Sequence, residues 1–134
     1  MDAIRYYSRT GNTQKLATIL GELLKLEPHP ITVPLVGPVD RLYLGGGIYN
    51  MSVDKHLKAF ASQLDPHDVK EVFLFGTSGS VFTVGKQLTK ILDQRQIKVA
   101  PDHLYLHGLM PKLGNINQRQ RAEIKGFARE TITE

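Results

Sequence analysis

Two patterns of apolar and polar positions alternate along this 134-residue chain. Short, nearly continuous apolar runs predict buried strands at residues 3–7, 42–44, 71–75 and 103–107, and a proline-flanked run at 31–35 predicts an edge strand. Longer segments carry apolar residues every three or four positions, which predicts amphipathic helices at residues 12–25, 53–64, 83–94 and 117–131.

The resulting order is β-α-β-β-α-β-α-β-α. Strands that alternate with helices and are apolar on both faces indicate an α/β fold with a parallel sheet covered on each side. Residues 34–38 are too few for a helical crossover, so the connection between the second and third strands is the least regular part of the predicted topology. The length predicts one domain over residues 1–134.

Composition narrows the function classes. The chain has no cysteine, which excludes disulfides, thiolate metal sites and cysteine nucleophiles. Its net charge is +4, but the lysines and arginines are scattered, so nucleic-acid binding is not favoured. The five histidines are dispersed, and no metal site is expected. No apolar run is long enough to span a membrane and no segment is typical of a signal peptide, so a cytoplasmic location is expected.

The turn after the first predicted strand is the most informative segment. It reads Tyr-Tyr-Ser-Arg-Thr-Gly-Asn-Thr at residues 6–13 and leads directly into the first predicted helix. The first amides of a helix have no partner inside the helix, and they lie at the positive end of its dipole. Together with the hydroxyls of Ser8, Thr10 and Thr13 they predict an anion site, with a phosphate as its ligand.

Two further loops follow later strands, at residues 46–52 and 77–82. The carboxyl ends of parallel strands meet at one edge of a sheet, where ligands bind in such folds, so the three loops are expected to form one cleft. Taken singly, either later loop is equally well explained as an ordinary turn.

The run Tyr-Tyr-Ser-Arg-Thr-Gly-Asn-Thr resembles the phosphate loop of the flavodoxins, and the Gly-Gly-Gly-Ile-Tyr segment with its following helix resembles the short-chain members. The resemblance implies a three-layer α/β/α fold with a five-stranded parallel sheet in the order 2-1-3-4-5. It also implies FMN as the cofactor. The implied phosphate-binding residues are Ser8, Arg9, Thr10, Gly11, Asn12 and Thr13.

Some of these residues have a second interpretation. Arg9 either faces solvent or supplies an extra counter-charge. Thr13 could equally cap the helix, which is compatible with ligand binding.

The resemblance also implies contacts with the flavin ring. On one face these are Gly46, Gly47, Ile48, Tyr49, Asn50 and Met51. Tyr49 is the stacking candidate, with a role in anchoring the loop to the core as the alternative. In flavodoxins a peptide here turns over on reduction, and Asn50 tolerates the positive φ that this needs. The Asn50–Met51 peptide is therefore the expected switch, with Gly46–Gly47 as the alternative.

On the other face and at the pyrimidine edge, the implied contacts are Thr77, Ser78, Gly79, Ser80 and Phe82. Phe82 is either a second stacking residue or a core residue. This loop lacks the acidic residue and the Tyr or Trp that are usual in the family. In typical flavodoxins, acidic surroundings disfavour the anionic hydroquinone and lower the reduction potential at which it forms. The neutral loop and the basic chain should lower that potential less.

By this resemblance the protein is an FMN-dependent electron carrier. It would be a monomer with transient redox partners, a reductase and an acceptor enzyme, and with no nucleic-acid or membrane partner. One alternative is a small flavin enzyme or activator: a quinone or protoporphyrinogen oxidoreductase, or the flavoprotein that activates ribonucleotide reductase. Another is a non-redox module that binds a phosphate-bearing ligand or a protein.

Overall fold

The computed structural model of the chain describes residues 1–9, 11–49, 52–78, 84–107 and 116–132. The strands in these ranges are β1 (Asp2–Tyr6), β2 (Pro28–Pro30), β3 (Val39–Tyr49), β4 (Ser52–Val53), β5 (Val69–Ser78) and β6 (Lys98–His107). The helices are α1 (Asn12–Leu24), α2 (Lys55–Ser62), α3 (Gly85–Gln94) and α4 (Gln118–Ile132).

The sheet has the strand order β2-β1-β3-β5-β6, and each of these neighbours is parallel. The two-residue β4 pairs antiparallel with the end of β3 and lies off this path. Without β4 the order is 2-1-3-4-5, which confirms the predicted α/β topology. The chain goes from β1 to one side and then returns to the other, so the strand order reverses between β1 and β3.

Alternating side chains of the central strands divide the core into two layers. In β3, Leu42 and Leu44 pack on the face covered by α2 and α3, and Tyr43 packs on the face covered by α1 and α4. The Tyr43 ring stacks on Phe73 with centroids 5.2 Å apart. Its buried hydroxyl donates to Thr131 Oγ1 of α4 at 2.8 Å, so this polar group keeps a hydrogen bond inside the core.

The predicted edge strand at 31–35 is wrong, because β2 is Pro28–Pro30. Its register with β1 pairs Arg5 with His29, and the amide of Ile31 donates to Tyr6 O at 2.9 Å. Since alternate residues of a strand face the same neighbour, His29 and Ile31 direct their amides to β1, and the prolines direct their nitrogens to the open edge. A proline there loses no hydrogen bond, so the two prolines do not exclude a strand.

A buried arginine, Arg5, holds the connection between β2 and β3, which has no crossover helix. Residues 31–38 contain no helix, as the sequence indicated. Arg5, with 7% exposure, donates from Nε to Val33 O at 2.9 Å and from Nη2 to Pro34 O at 3.0 Å. Its Nη1 donates to Ile4 O at 3.0 Å. Burial lowers the pKa of the guanidinium, and the three carbonyls compensate part of that desolvation.

Three strands are longer than predicted. β5 covers Val69–Ser78 rather than residues 71–75, so Thr77 and Ser78 belong to this strand and the predicted loop at 77–82 is wrong at its start. β3 continues through the glycine run as far as Tyr49, and β6 begins at Lys98 rather than at residue 103. β6 contains Pro101, and its register with β5 moves from Val99 to His103 while β5 advances only from Val72 to Leu74. This irregularity of an edge strand accommodates the proline.

The four predicted helices are present, with ends that differ by at most two residues wherever the predicted end lies in the described part of the chain. α4 begins with a reciprocal capping arrangement, in which the Asn117 amide donates to Gln120 Oε1 and the Gln120 amide donates to Asn117 Oδ1. None of the helices in the described ranges has both the length and the apolar composition needed to cross a membrane.

Candidate functional site

The carboxyl ends of β1, β3 and β5 lie side by side. Tyr6 is the register partner of Gly45, and Gly47 is the register partner of Thr77. The Tyr7 amide extends the ladder by donating to Gly45 O at 3.0 Å. The segments that follow these three strands therefore start from one edge, next to the point where the strand order reverses.

The head of α1 presents a set of hydrogen-bond donors. Gly11 is the N-cap, with φ +92° and ψ −11°, a left-handed conformation that favours glycine. Lys15 is the residue whose amide donates to Gly11 O, at 3.0 Å, so the amides of Asn12, Thr13 and Gln14 precede the helical ladder. An ideal Cβ built on Gly11 has no atom within 4 Å, so the space beside this turn is open.

Two hydroxyls of this region accept or share a hydrogen bond with the protein. Ser8 Oγ accepts from the Gly11 amide at 3.0 Å. Thr13 Oγ1 lies 2.8 Å from Thr77 Oγ1, a contact that joins the start of α1 to the end of β5. Asn12, Thr13 and Thr77 are all buried, with exposures of 4%, 0% and 8%. Thus the structure brings residues of the first and third predicted loops into direct contact.

The glycines that were assigned to the second loop lie inside the sheet. Gly46 and Gly47 belong to β3, which continues to Tyr49, and Ser52 begins β4, so the predicted loop at 46–52 is wrong at both ends. An ideal Cβ on Gly46 would be 2.3 Å from Leu57 Cδ2, and one on Gly76 would be 2.5 Å from Gly46 O. Because they have no side chain, these glycines allow a neighbouring strand and helix to pack closely against the backbone. This explanation for glycine at these positions holds with or without a ligand.

The remaining predicted site residues are only partly described. Ile48 and Tyr49 end β3 and pair with Val53 and Ser52 of β4, and Ser78 ends β5. The residues that lie outside the described part of the chain are Thr10, Asn50, Met51, Gly79, Ser80 and Phe82. Tyr49 stacking, the Asn50–Met51 switch and the role of Phe82 stay predictions.

A polar cluster next to the first turn was missed by the sequence reasoning. The ring of Tyr7 stacks on His56, with centroids 5.3 Å apart and an interplanar angle of 17°. Asp54 caps α2: its Oδ1 accepts from the His56 amide at 2.7 Å and lies 2.9 Å from His56 Nδ1. The available signal was an Asp directly before a helical pattern, which is typical of an N-cap.

Electrostatic contacts connect this cluster to the phosphate-loop candidate Arg9. Burial opposes ionisation of Asp54, but hydrogen bonds from His56 and the charges of His56 and Arg9 outweigh it, so the pKa of Asp54 is lowered. Arg9 itself faces water, in agreement with the first interpretation. Its charge acts on a carboxylate of the protein, and its role as a counter-charge to the phosphate stays a prediction.

A groove of about 560 Å³ opens beside the same turn, between α1 and α4. Gly11 is at one end, Ile19 and Ile116 supply apolar contacts, and Lys15 and Arg121 add positive charge. No group of three histidine, aspartate or glutamate side chains in the described ranges is arranged to hold a metal ion.

Neither a family model nor a curated protein sequence matches the chain. Solved structures do. A flavodoxin from the domain Archaea matches at 16% identity over 100% of both chains, with a TM-score of 0.70. Oxidised flavodoxin 1 from Bacillus cereus matches at 14% identity over 100% of this chain and 99% of that one, with a TM-score of 0.72.

The chain has the flavodoxin fold. Rubredoxin oxygen:oxidoreductase from Desulfovibrio gigas also matches, at 14% identity and a TM-score of 0.75, over 95% of this chain but 34% of that one. At these identities the likeness concerns the backbone. It agrees with the resemblance of the phosphate loop, which depends on eight residues and not on the overall shape.

Proposed function

We propose that the protein binds FMN non-covalently and acts as a flavodoxin-type electron carrier. The observation that carries the proposal is the head of α1, where helix amides, a left-handed glycine and buried hydroxyls meet at the strand-order reversal of a flavodoxin fold. Such a site favours a ligand with a terminal phosphate.

The described residues fit the phosphate end of FMN. Backbone amides at the start of α1 and the hydroxyls of Ser8 and Thr13 are suitable donors for a dianion. The open space beside Gly11 leaves room for it. In this proposal Thr10 and Asn12 complete the loop, and the phosphate needs no arginine in direct contact, as is usual in the family.

The flavin ring would lie at the ends of β3 and β5. Bound FMN would supply the one-electron redox chemistry. The chain would bind and orient it, with Tyr49 on one face, with the backbone amides of Thr77 and Ser78 at the ring edge, and with the 50–51 peptide adapting to the reduced state. The resulting protein is a carrier whose partners contact the exposed edge of the ring.

Charge indicates the kind of partner. The net charge is +4, and Lys15 and Arg121 line the groove beside the phosphate turn. We infer that the reductase and the acceptor enzyme present acidic docking faces, in contrast to the basic partners of acidic flavodoxins. Association would then be transient and would slow steeply as salt is added.

Flavin titration tests the phosphate site. Replacing both hydroxyls in Thr10→Ala/Thr13→Ala removes two hydrogen bonds to a dianion, each worth roughly 1.5–3 kcal/mol, so FMN affinity should fall about 100-fold or more. Riboflavin has no phosphate and serves as the matched ligand, and its affinity should change little. Equal losses for the two ligands would contradict a phosphate site at this turn.

Absorbance spectra during stepwise reduction test the carrier function. Two resolved one-electron steps support a carrier. Direct two-electron turnover with NAD(P)H or a quinone would support the small flavin enzyme instead. A protein that stays colourless with excess FMN would contradict both flavin functions and support the non-redox module.

A further inference from the structure

The contact between Thr13 and Thr77 connects two binding segments that are 64 residues apart in the sequence. Thr13 is the second residue of α1 and is fully buried, and Thr77 lies one residue before the end of β5. Their Oγ1 atoms are 2.8 Å apart, and either hydroxyl can be the donor. A ligand that fixes one of these hydroxyls therefore also fixes the other.

The proton count of this pair limits what it can bind. Each hydroxyl has one proton and two lone pairs, and their mutual hydrogen bond uses one proton. One O–H is left to donate outside the pair. If Thr77 donates to Thr13, the proton of Thr13 is the one that remains; if Thr13 donates, the proton of Thr77 remains. Because buried hydroxyl protons need an acceptor, a ligand at either residue selects the direction.

Ser8 shows the same arrangement on the other side of the turn. Its Oγ accepts from the Gly11 amide at 3.0 Å, so one of its lone pairs is used while its own proton can still be donated. When Thr77 donates to Thr13, both hydroxyls of the turn accept from the protein and each keeps its own proton to donate. This arrangement suits a ligand that only accepts hydrogen bonds, such as a phosphate dianion.

We propose that Thr77 is the positioning residue of the phosphate site. It donates to Thr13 Oγ1 and thereby orients and polarises the Thr13 hydroxyl as a donor to the phosphate. Thr77 touches the phosphate only through Thr13. It therefore sets the preference for a phosphorylated flavin, although its strand, β5, ends beside the proposed position of the flavin ring. This inference rests on the proposed function and adds a residue outside the phosphate loop to that site.

The competing explanation is that the contact only pins α1 to β5. It predicts a general loss of stability or of ligand binding, whereas the positioning role predicts a loss confined to ligands that carry phosphate. Thr131 is a matched control, because it is a fully buried threonine whose hydroxyl receives a hydrogen bond from Tyr43 at 2.8 Å in the core between β3 and α4.

The test is fluorescence titration of FMN and of riboflavin into wild type, Thr77→Val, Thr77→Ser and Thr131→Val. The affinity ratio of the two flavins is the readout, because it does not depend on the amount of folded protein. Thr77→Val should reduce FMN affinity about tenfold, the value of one charge-assisted hydrogen bond, and riboflavin affinity less than about twofold. Thr77→Ser keeps the hydroxyl and should keep the ratio, as should Thr131→Val.

A second comparison isolates the pair. If Thr77 acts through Thr13, Thr13→Val/Thr77→Val should bind FMN no more weakly than Thr13→Val alone. An unchanged FMN to riboflavin ratio in Thr77→Val overturns the positioning role while leaving the proposed function intact. A wild-type protein that binds FMN no more tightly than riboflavin, or binds neither, overturns the proposed function and this inference with it.

Discussion

The two edges of the sheet at which the parallel strands begin and end carry different kinds of polar group. At the edge where the strands begin, ion pairs predominate: the amino group of Met1 lies 2.6 Å from Asp40, Lys70 lies 2.9 Å from the same carboxylate, and Arg41 lies 3.3 Å from Asp2. At the edge where β1, β3 and β5 end, hydroxyls, glycines and helix amides predominate. Opposite charges neutralise each other at the first edge, whereas the second is where the anion site is proposed.

A three-residue motif that occurs at both edges makes the comparison sharper. Asp54 and Asp65 each accept from the amide and the ring nitrogen of the histidine two residues later. The His67 side chain is 92% exposed, whereas His56 stacks on Tyr7. Identical local hydrogen bonds therefore have different surroundings: the copy beside the candidate site adds a ring stack, whereas the other histidine is exposed to solvent.

The largest expected effect concerns close packing at the carboxyl-end edge. Gly76→Ala would place a Cβ 2.5 Å from the backbone oxygen of Gly46, which cannot rotate away, so we expect a loss of about 1–3 kcal/mol in the free energy of unfolding. Urea denaturation measures it. Gly126→Ala is the matched control: it meets no atom within 4 Å inside α4 and should stabilise by about 0.5–1 kcal/mol. A Gly76→Ala protein as stable as wild type would contradict the packing role.

A smaller effect should separate the two Asp-x-His turns. Asp54→Ala removes the N-cap of α2, which should cost about 1 kcal/mol. Asp65→Ala removes the corresponding hydrogen bonds at the other edge, where the side chains are exposed to solvent, and its cost should be clearly lower. The two variants are compared by urea denaturation under the same conditions. Equal losses would show that the surroundings add nothing to the motif.

The smallest effect is a pH dependence at the edge where the strands begin. The amino terminus and Lys70 lower the pKa of Asp40 to about 2, below the value of about 3.9 in an unfolded chain. The stabilisation is therefore complete above about pH 4 and is lost as the pH falls towards 2. In urea melts from pH 2 to 6, Asp40→Asn should differ from wild type only at the higher pH values, and less in high salt. A difference at pH 2 as large as that at pH 6 would argue against this assignment.

Local patterns were sufficient for much of the fold. The spacing of Leu16 and Leu20 predicted α1, and the rule that parallel strands end together predicted that residues of the first and third loops would meet. Gly46 and Gly47 were misread as part of a loop because glycine is common in turns. The glycine run lies in β3, and its first residue has a packing reason to be glycine, because a Cβ at Gly45 would overlap the Phe75 ring of the neighbouring strand.

The individual side-chain contacts between distant segments could not be predicted. The Thr13–Thr77 hydrogen bond depends on how α1 lies against β5, and the Tyr7–His56 stack depends on how α2 lies against the end of β1. No periodicity contains this information. The position of β2 was missed for a related reason, since a proline is tolerated or excluded according to which side of the strand has a neighbour.

The β2–β3 connection, which the Arg5 guanidinium holds by hydrogen bonds to Val33 O and Pro34 O, has a consequence for local opening. β2 has three residues, two of them prolines, and the connection after it contains no helix of its own. We expect residues 28–38 to detach from the rest of the sheet before global unfolding, so that their amides exchange with deuterium sooner than those of β3 and β5. Because the proposed phosphate turn is attached to β1 and α1, it would outlast this opening, and one margin of the protein could fray without release of a nucleotide bound there.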